Sequence, residues 1–515
     1  MGFGADNDRM VGKLPAPGAE QSASGTHGRG LGATPPAAER PSASGPQRGG
    51  ALTNGGTAGQ DQTSESDLSG KRVLVVGLGR TGVAVARFLI GRGACVTVTD
   101  TRSASELGEA IAALRDHVTF ELGGHVRSTF VAQDLIVVSP GVPEIPELAA
   151  ARRAHVSITG EIELASHFVR APIVAITGTN GKSTVTSLCG AMVERSGKPT
   201  FVGGNLGTPF IGAVGSPAAG ENGVIVLEIS SFQLETCDAF RPRVSALLNI
   251  TPDHLDRYPS MEAYVAAKAR IFMRQGPDDY AVVNMDDPLA WELATRASAR
   301  VVPFSVRRRL DIGGWLEDDT LCLRLPDGSL EQYPGSVLRL VGLHNRANAL
   351  AAALAARLVG TMPEHVLDAM RTFTPLSHRM ELVRELHGVA YYDDSKGTNV
   401  AAVAASLDGF PRPVVLIAGG RDKGGDYAPL RRALLGRARG IVLIGEAAPK
   451  MEAALQGVAE IRRASSMEEA VATAASLAKP GDAVVLSPAC SSFDMFRDYA
   501  HRAAVFREAV MRLGQ

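Results

Sequence analysis

The segment from Ala171 to Gly197 constrains the fold most, because it joins an apolar strand, a glycine loop and a helix in one order. It reads APIVAITGTNGKSTVTSLCGAMVERSG. This order builds a phosphate cradle, in which main-chain N–H groups and the helix dipole stabilise an anion. The segment departs from the common pattern G-x-x-x-x-G-K-[ST], because Ile176 stands where that pattern has glycine. The strand and the helix nevertheless predict a nucleotide site in an α/β fold.

A second glycine turn occurs earlier in the chain, in the run KRVLVVGLGRTG. It follows an apolar strand, Val73–Val76, and a helical stretch and a strand ending at Asp100 come after it. Its glycines fit the pattern G-x-G-x-x-G of a dinucleotide-binding βαβ unit. They are Gly77, Gly79 and Gly82. A UDP pyrophosphate satisfies this geometry as well as NAD does, so the residues leave open both a UDP site and an NAD-dependent oxidoreductase.

Further predicted strands end beside residues that suit ligands. In open α/β sheets, ligands collect at the carboxyl ends of the strands. The residues at such ends are Gly141 after Leu135–Val138, Glu228 after GVIVL, and Asp253 and His254 after ALLNITP, with Lys268 in the next helix. Lys182 offers a charge to terminal phosphates, and Ser183 or Thr184 offers a hydroxyl to Mg²⁺. The pattern predicts a cation site with hard oxygen ligands.

Composition excludes several classes of protein. A chain of 515 residues predicts two to four domains. Its formal net charge of -1 supplies no basic field for nucleic acid. Five scattered cysteines lack metal-ligand spacing, and no apolar run reaches the roughly 18 to 20 residues that span a bilayer. We therefore expect a cytoplasmic protein that binds neither nucleic acid nor membrane.

The first seventy residues differ in composition from the rest. Segments such as GATPPAAERPSASGPQRGG are rich in Gly, Pro, Ser and Ala and lack apolar periodicity. Such a sequence buries too little apolar surface to offset the entropy of ordering. We predict a disordered tail over residues 1–70.

Eight sequence blocks in fixed order carry a specific resemblance. They are GTNGKST, LEISSFQLE, NITPDHLDRY, GLHNRANALAA, HRMEL, DDSKGTN, GGRDKGGD and SPACSSFDMF. In this order, over residues 71–515, the chain resembles the Mur ligase family and is most similar to the branch that adds D-glutamate. The family's phosphate loop is the short form G-T-N-G-K-[ST], which accounts for Ile176. The Asp-Asn-Pro-Arg motif of the branch that adds a diamino acid does not occur.

The resemblance implies an α/β fold of three domains, each built on a mostly parallel sheet with flanking helices. A Rossmann-like domain at 71–160 would bind the UDP substrate. A central P-loop ATPase-like domain at 161–375 would bind ATP. A Rossmann-like domain at 376–515 would bind the incoming amino acid and close over ATP, with a hinge near Pro375.

The resemblance also implies site residues. Those for the UDP substrate are Arg80, Thr81, Asp100, Thr101, Arg102 and Gly141, with Asn205, Ser230 and Gln233 near its muramoyl end. Those for ATP are Gly178, Thr179, Asn180, Gly181, Lys182, Ser183, Thr184, Asn345, Arg379 and Asp394. Those that line the nucleotide and amino-acid sites in the third domain also include Lys396, Thr398, Lys423, Ser492 and Phe493. His378 precedes Arg379 at the start of the third domain.

The resemblance to the Mur ligase family also implies metal ligands and catalytic residues. The implied ligands of two Mg²⁺ ions are Ser183, Glu228, His254 and Lys268, the last as a carbamylated lysine. The implied catalytic residues are Lys182, Glu228, His254 and Lys268. The reaction would join D-glutamate to UDP-N-acetylmuramoyl-L-alanine through an acyl phosphate, releasing ADP and phosphate, in peptidoglycan synthesis. The expected enzyme is a monomer, and another amino-acid-adding Mur ligase is the alternative.

Overall fold

The computed structural model describes residues 67–114, 117–340, 342–374, 376–408 and 410–514. Most of the tail predicted at 1–70, namely residues 1–66, lies outside these ranges. Pro375, where the hinge was predicted, also lies outside them. The described residues contain three separate sheets.

The N-terminal sheet has five strands, all parallel, in the order β3-β2-β1-β4-β5. Its elements are β1 (Arg72–Val76), α1 (Arg80–Gly91), β2 (Cys95–Asp100), α2 (Gly108–Ala112), β3 (Val118–Leu122), α3 (Arg127–Val131), β4 (Leu135–Val138), α4 (Pro146–Arg153) and β5 (Ser157–Gly160). The chain reverses its direction of winding at β1, and open α/β sheets bind ligands at such a point.

The turn after β1 requires glycine at two positions, one for its backbone angle and one for a close approach between backbone atoms. Gly77 has φ +90°, a conformation that disfavours other residues. A Cβ atom on Gly82 would lie 1.9 Å from the Gly77 carbonyl oxygen. Helix α1 therefore begins close against the turn, as the fingerprint requires.

The central sheet has nine strands in the order β14-β13-β12-β11-β10-β9-β6-β8-β7. Its elements are α5 (Glu161–Ser166), β6 (Ile173–Thr177), α6 (Lys182–Glu194), β7 (Thr200–Gly204), β8 (Val224–Glu228), α7 (Ser231–Leu234), β9 (Val244–Leu247), α8 (Met261–Ala269), β10 (Tyr280–Asn284), α9 (Pro288–Ala294), β11 (Arg300–Ser305), β12 (Gly313–Glu317), β13 (Thr320–Arg324), β14 (Leu330–Pro334), α10 (Leu343–Leu358) and α11 (Pro363–Thr372).

Strands β6 to β12 of this sheet run parallel, and β13 and β14 extend it antiparallel. Strands β6, β8 and β9 are buried at every residue, because helices cover both faces of the sheet. One layer of the core joins β6 to α6 and to the alanine-rich helix α10. The sheet thus holds the loop between β6 and α6 on a rigid base.

The C-terminal sheet has six strands in the order β15-β16-β20-β17-β18-β19. Only the β15–β16 pair of this sheet is antiparallel. Its elements are β15 (Glu381–Leu386), β16 (Val389–Asp393), α12 (Val400–Leu407), β17 (Val414–Gly419), α13 (Ala428–Leu434), β18 (Ala438–Ile444), α14 (Ala448–Leu455), β19 (Glu460–Arg463), α15 (Met467–Leu477), β20 (Ala483–Leu486) and α16 (Tyr499–Arg512).

The structure confirms the predicted α/β class and the local elements on which the site depends. Residues Val73–Val76 lie in β1, and β4 has the predicted bounds, Leu135–Val138. Asp100 ends β2, Glu228 ends β8, and Lys268 lies in α8. The exact domain boundaries stay a prediction. Within the described ranges, no helix is long and apolar enough to cross a membrane.

Candidate active site

The phosphate loop connects β6 to α6 and depends on two glycines. Gly178 and Gly181 have φ values of +158° and +86°. A Cβ atom on Gly181 would lie 2.5 Å from the Asn348 side-chain oxygen, and one on Gly178 would lie 3.0 Å from Cβ of Leu248. The backbone is therefore enclosed by helix α10 on one side and by the end of β9 on the other. Side chains at these positions would push the loop out of shape.

Lys182 begins α6, and its ammonium group folds back onto the loop. Its Nζ donates to the carbonyl oxygens of Gly178 (2.9 Å) and Thr179 (2.8 Å). Burial lowers the pKa of Lys182, while the carboxylates of Glu228 and Asp253 act in the opposite direction. Main-chain acceptors thus hold the Lys182 amine at the mouth of the loop.

Glu228 presents a buried carboxylate beside the loop. Strands β6 and β8 are neighbours, with Ile176 opposite Glu228 in the register. The Glu228 residue is 3% exposed, and its Oε1 accepts from the Asn205 side chain at 2.7 Å. Its Oε2 is buried and has no hydrogen-bond partner within the described chain. An unpaired buried carboxylate oxygen is costly, so this atom suits a cation. Ser183, buried at the start of α6, offers a hydroxyl at the same loop.

Lys268 reaches the same loop from α8. It is 1% exposed, and its Nζ donates to the Gly178 carbonyl oxygen at 2.9 Å, the acceptor that Lys182 also uses. Its amine lies 4.7 Å from the centre of the Tyr264 ring. Burial first, and then the charge of Lys182, hold the pKa of Lys268 well below its ordinary value. Both effects favour the neutral amine relative to a solvent-exposed lysine.

His254 and Asp253 follow β9 on the other side of the loop. His254 has φ +57°, and its ring packs edge-on against Phe232, with ring centres 4.8 Å apart. Burial lowers the pKa of His254 to about 4, although the Asp253 carboxylate 3.7 Å away opposes this. The imidazole is neutral at pH 7. A neutral imidazole can bind a metal or accept a proton.

The C-terminal domain contacts the central domain both at Asp253 and at the phosphate loop. Lys423 donates to Oδ1 of Asp253 at 3.0 Å, and Asn399 donates to Oδ2 at 3.2 Å. Asn399 also pairs with the side chain of Asn180 in the loop. Sequence reasoning did not single out Asn399, although it is the last residue of the quoted block DDSKGTN.

The segment that follows β16 contains several predicted residues of the C-terminal domain. Asp394 is 1% exposed, and burial raises its pKa to about 6, against the effect of a hydrogen bond from Ser487. Burial lowers the pKa of Lys396, and the charge of Arg379 adds to this. The Lys396 amine lies 5.7 Å from the centre of the Tyr499 ring. Tyr499 was not singled out from the sequence.

The remaining predicted residues of this domain differ in exposure. The Thr398 N–H donates to the Lys396 carbonyl oxygen at 3.0 Å and shapes the turn before α12. Ser492 is 3% exposed, whereas Phe493 is 66% exposed. The large exposed ring of Phe493 can contact a ligand, while Ser492 is enclosed.

His378, Glu381 and Asp393 bring ligand-type atoms within 4.8 Å of one another. These atoms already have partners: His378 Nδ1 lies 2.7 Å from Asp393 Oδ2, and Glu381 Oε1 pairs with Arg507 at 2.6 Å. Asp393 Oδ1 also accepts from the N–H of Ser395 at 3.0 Å. The cluster therefore holds the start of the DDSKGTN segment in place.

Asp100 and Arg102 form a second polar site at the carboxyl end of β2. Asp100 Oδ2 accepts from the Leu78 N–H (2.7 Å) and from Arg102 Nη2 (2.7 Å). Burial alone would raise the pKa of Asp100, but the Arg102 fork and the Leu78 N–H lower it to about 2. The carboxylate therefore anchors the glycine turn and orients Arg102, a role beyond the predicted contact with substrate.

A cavity of about 790 Å³ opens beside this pair. Arg80, Arg87 and Arg102 line it together with Pro209 from the loop after β7. The carboxylates of Glu106 and Glu109 also line the cavity, and the three guanidinium groups are the donors there that suit an anionic ligand such as a phosphate. The other predicted residues of this region, Thr81, Thr101 and Gly141, are partly or fully exposed.

The predicted muramoyl residues have structural partners. Ser230 and Gln233 form the capping box of α7: the Ser230 N–H donates to Gln233 Oε1 (2.9 Å), and the Gln233 N–H donates to Ser230 Oγ (3.3 Å). Asn205 is exposed and donates to Glu228.

Asn345, a predicted ATP residue, lies at the start of α10 and accepts from Asn348 at 3.1 Å. These bonds orient the side chains at the site.

The structure thus brings most predicted catalytic residues to one place. Lys182 and Lys268 meet at the Gly178 carbonyl, with the charges of Glu228 and Asp253 close enough to act on both amines. Arg80, Asp100 and Arg102 instead belong to the N-terminal sheet and its own cavity.

Comparisons with known proteins agree with this arrangement. The family description "Mur ligase MurD-like, N-terminal domain" matches residues 71–160, "Mur ligase middle domain" matches 176–356, and "Mur ligase, glutamate ligase domain" matches 378–490. A curated relative from Geotalea daltonii, named UDP-N-acetylmuramoylalanine--D-glutamate ligase, is 49% identical over 449 residues, which are 87% of this chain and 98% of the relative.

Solved structures share the fold at lower identity. The pseudomurein peptide ligase type C from Methanothermus fervidus is 19% identical, with a TM-score of 0.57 over 86% of this chain and 99% of its own. The MurF ligase from Thermotoga maritima, solved in complex with ADP, is 17% identical, with a TM-score of 0.54 over 88% of this chain and 99% of its own. With three family matches in order and a near full-length relative at this identity, the chain belongs to the Mur ligase family.

Proposed function

We infer that the chain catalyses the ATP-dependent ligation of D-glutamate to UDP-N-acetylmuramoyl-L-alanine in peptidoglycan synthesis. The reaction proceeds through an acyl phosphate and releases ADP and phosphate. The observation that carries this inference is the 49% identity to a curated D-glutamate ligase over 98% of that relative. The other amino-acid-adding members of the family are the competing assignment.

The reaction requires ATP for a chemical reason. A carboxylate does not react with an amine at neutral pH, because its leaving group would be oxide. Transfer of the γ-phosphoryl group converts it into an acyl phosphate, whose leaving group is phosphate. We assign Lys182 and the N–H groups of the loop after Gly178 to the ATP phosphates, since the ammonium group and the start of α6 meet there.

We further propose that Mg²⁺ binds at this loop, with Ser183 and Glu228 as ligands of one ion and His254 and Lys268 beside a second. The unpaired Oε2 of Glu228 supports a cation there, since oxygen ligands suit Mg²⁺. Bound Mg²⁺ would neutralise negative charge on the transferring phosphoryl group. The residues present therefore fit the ion.

Lys268 fits the proposed carbamate. A neutral amine adds carbon dioxide through its nitrogen lone pair and loses one proton to give the carbamate anion, and burial beside Lys182 favours the neutral amine. The carbamate would be an anion, so it would attract Lys182 and the metal, whereas the protonated amine would repel both. The proposed modification therefore relieves the contact of two amines at the Gly178 carbonyl.

We assign the two organic substrates to the two other domains. The UDP group is proposed at Arg80 and Arg102, because their guanidinium groups line the cavity beside the glycine turn. The D-glutamate carboxylates are proposed near Lys396 and Lys423, together with Thr398, Ser492 and Phe493. We further propose that the enzyme acts as a monomer. Both nucleotide substrates are cytoplasmic metabolites, which supports action in the cytoplasm.

The test is phosphate release by the purified chain with UDP-N-acetylmuramoyl-L-alanine, ATP and Mg²⁺. D-Glutamate, L-alanine, L-lysine and meso-diaminopimelate are compared at equal concentration, and the product is identified by mass. We expect release only with D-glutamate. Release that is independent of D-glutamate, or faster with a diamino acid, would refute the assignment.

A further inference from the structure

We propose that Asn399 is a positioning residue that couples docking of the C-terminal domain to the shape of the phosphate loop. Asn399 is 8% exposed and stands immediately before α12. This role rests on the proposed function only where ATP and D-glutamate are named. It concerns the hydrogen bonds between Asn399 in the C-terminal domain and Asn180 and Asp253 in the central domain.

The side chain of Asn399 uses its full hydrogen-bonding capacity. Its Oδ1 accepts from the Ala402 N–H (2.8 Å) and from Asn180 Nδ2 (3.3 Å). Its Nδ2 donates to Asn180 Oδ1 (2.9 Å) and to Asp253 Oδ2 (3.2 Å). A primary amide has two donor hydrogens and an oxygen with two acceptor positions. Three of the four bonds reach the central domain.

The partner of Asn399 is itself held rigidly. The Asn180 N–H donates to Asn249 Oδ1 (2.8 Å), and Asn249 Nδ2 donates to the Asn180 carbonyl oxygen (3.0 Å). Asn249 follows β9, so the main chain of the loop is fixed to the end of that strand. Asn399 can pair with Asn180 only when the loop adopts this shape.

The same contact places Lys423, a residue of the proposed D-glutamate site, beside the phosphate loop. Asp253 accepts from both Asn399 and Lys423, one on each carboxylate oxygen. Docking of Asn399 therefore coincides with placement of the Lys423 amine beside the loop. A loop held in shape by nucleotide favours docking, and docking favours the D-glutamate site, so the two affinities are linked.

The competing explanation is that Asn399 only caps α12. Two variants separate the roles, because Ser and Asp cap helices as well as Asn does. Asn399→Ser keeps a capping oxygen but is too short to reach Asn180. Asn399→Asp keeps the length but loses both donors and faces the Asp253 carboxylate. Ser466→Ala is the matched control, since Ser466 caps α15 in the same domain by accepting from the Glu469 N–H (3.2 Å).

The first experiment is hydrogen exchange on the full chain, which needs no reaction. We expect backbone amides of residues 178–182 to exchange at least about 10-fold faster in the Asn399→Ser and Asn399→Asp proteins, because bonds across the interface are lost. Ser466→Ala should lower the melting temperature and leave this exchange unchanged. Unchanged exchange in both Asn399 variants would overturn the proposal, whatever reaction the chain catalyses.

The second experiment measures the linkage. In the phosphate-release assay, we expect Asn399→Ser to lower kcat/KM for D-glutamate by roughly 10- to 100-fold, with Asn399→Asp lower still. At saturating ATP, which offsets any separate effect of Asn180→Ser on nucleotide binding, its combination with Asn399→Ser should add little to Asn399→Ser, because both changes remove the same pair. Additive losses, or equal losses in Ser466→Ala, would overturn the proposal. Absence of D-glutamate-dependent release in the wild type would instead reject the proposed function, and the exchange data would still decide the role of Asn399.

Discussion

Replacement of Glu228 by Gln tests whether the buried carboxylate at the end of β8 binds a metal. The substitution keeps the size of the side chain and removes its charge. Without ligand, we expect the free energy of unfolding to change by only about 1 kcal/mol, because within the described residues the carboxylate has a single hydrogen bond, from Asn205. The activity should fall at least about 100-fold, as a phosphoryl-transfer site loses charge compensation.

The ligand-induced stabilisation gives the sharper measure. A ligand at 100 times its Kd stabilises the folded state by about 2.7 kcal/mol. For a domain of about 200 residues, each kcal/mol shifts the melting temperature by roughly 2–4 °C, so we expect a rise of roughly 5–11 °C in wild type. The melting temperature is measured by scanning fluorimetry with a non-hydrolysable ATP analogue, once with Mg²⁺ and once without. The difference between the two values is the Mg²⁺-dependent part of the rise. In the E228Q protein, that part should disappear.

Glu161→Gln is the matched control. Glu161 is also buried, at 2% exposure, with one oxygen bonded to the Ile211 N–H and the other without a partner within the described chain. It begins α5, before β6 and the phosphate loop. The E161Q protein should keep the full Mg²⁺-dependent shift. Retention of most of that shift in the E228Q protein would refute the assignment of Glu228 as a metal ligand.

Three further predictions concern the other charged groups. Lys182→Met should abolish ATP turnover, because the ammonium at the loop is lost; a variant that keeps most of its phosphate release would contradict the role. Lys268→Ala should lose activity and regain part of it with a short added carboxylic acid that replaces the carbamate; a rate indifferent to the substitution would reject the carbamate. The pKa of Asp100, lowered to about 2, means that its ionised form stabilises the fold above the unfolded value of 3.8, and that this stability is lost as pH falls towards 2. Urea unfolding of Asp100→Asn should therefore show a loss of roughly 1–2 kcal/mol at pH 7, after allowance for solvent screening, that shrinks below pH 4; equal stability to wild type at both pH values would contradict it.

Local sequence pattern was sufficient for the elements that surround the site. Apolar runs followed by glycine turns predicted β1, β4 and β6, because a strand buried on both faces requires apolar residues and the turns require unusual backbone angles. The strand-end position of Glu228 followed from the same pattern. Ser230 and Gln233 also have the spacing of a capping box, which the sequence analysis interpreted only as a substrate contact.

Contacts between distant segments could not be predicted from local sequence pattern. Asn180 and Asn399 are 219 positions apart, and nothing in either neighbourhood indicates the other. The shared use of one carbonyl by Lys182 and Lys268 is likewise visible only once α8 is packed against the loop. Such pairings depend on how whole domains meet, so a single sequence does not specify them.

Because Lys182 donates to two carbonyl oxygens of its own loop, an anion that binds Lys182 must replace these hydrogen bonds. Weak, singly charged ions gain too little from one ammonium to displace them, whereas a polyphosphate gains from several donors at once. For a loop that binds ATP as proposed, the carbonyl oxygens of Gly178 and Thr179 would thus set a threshold that favours polyphosphates over small anions.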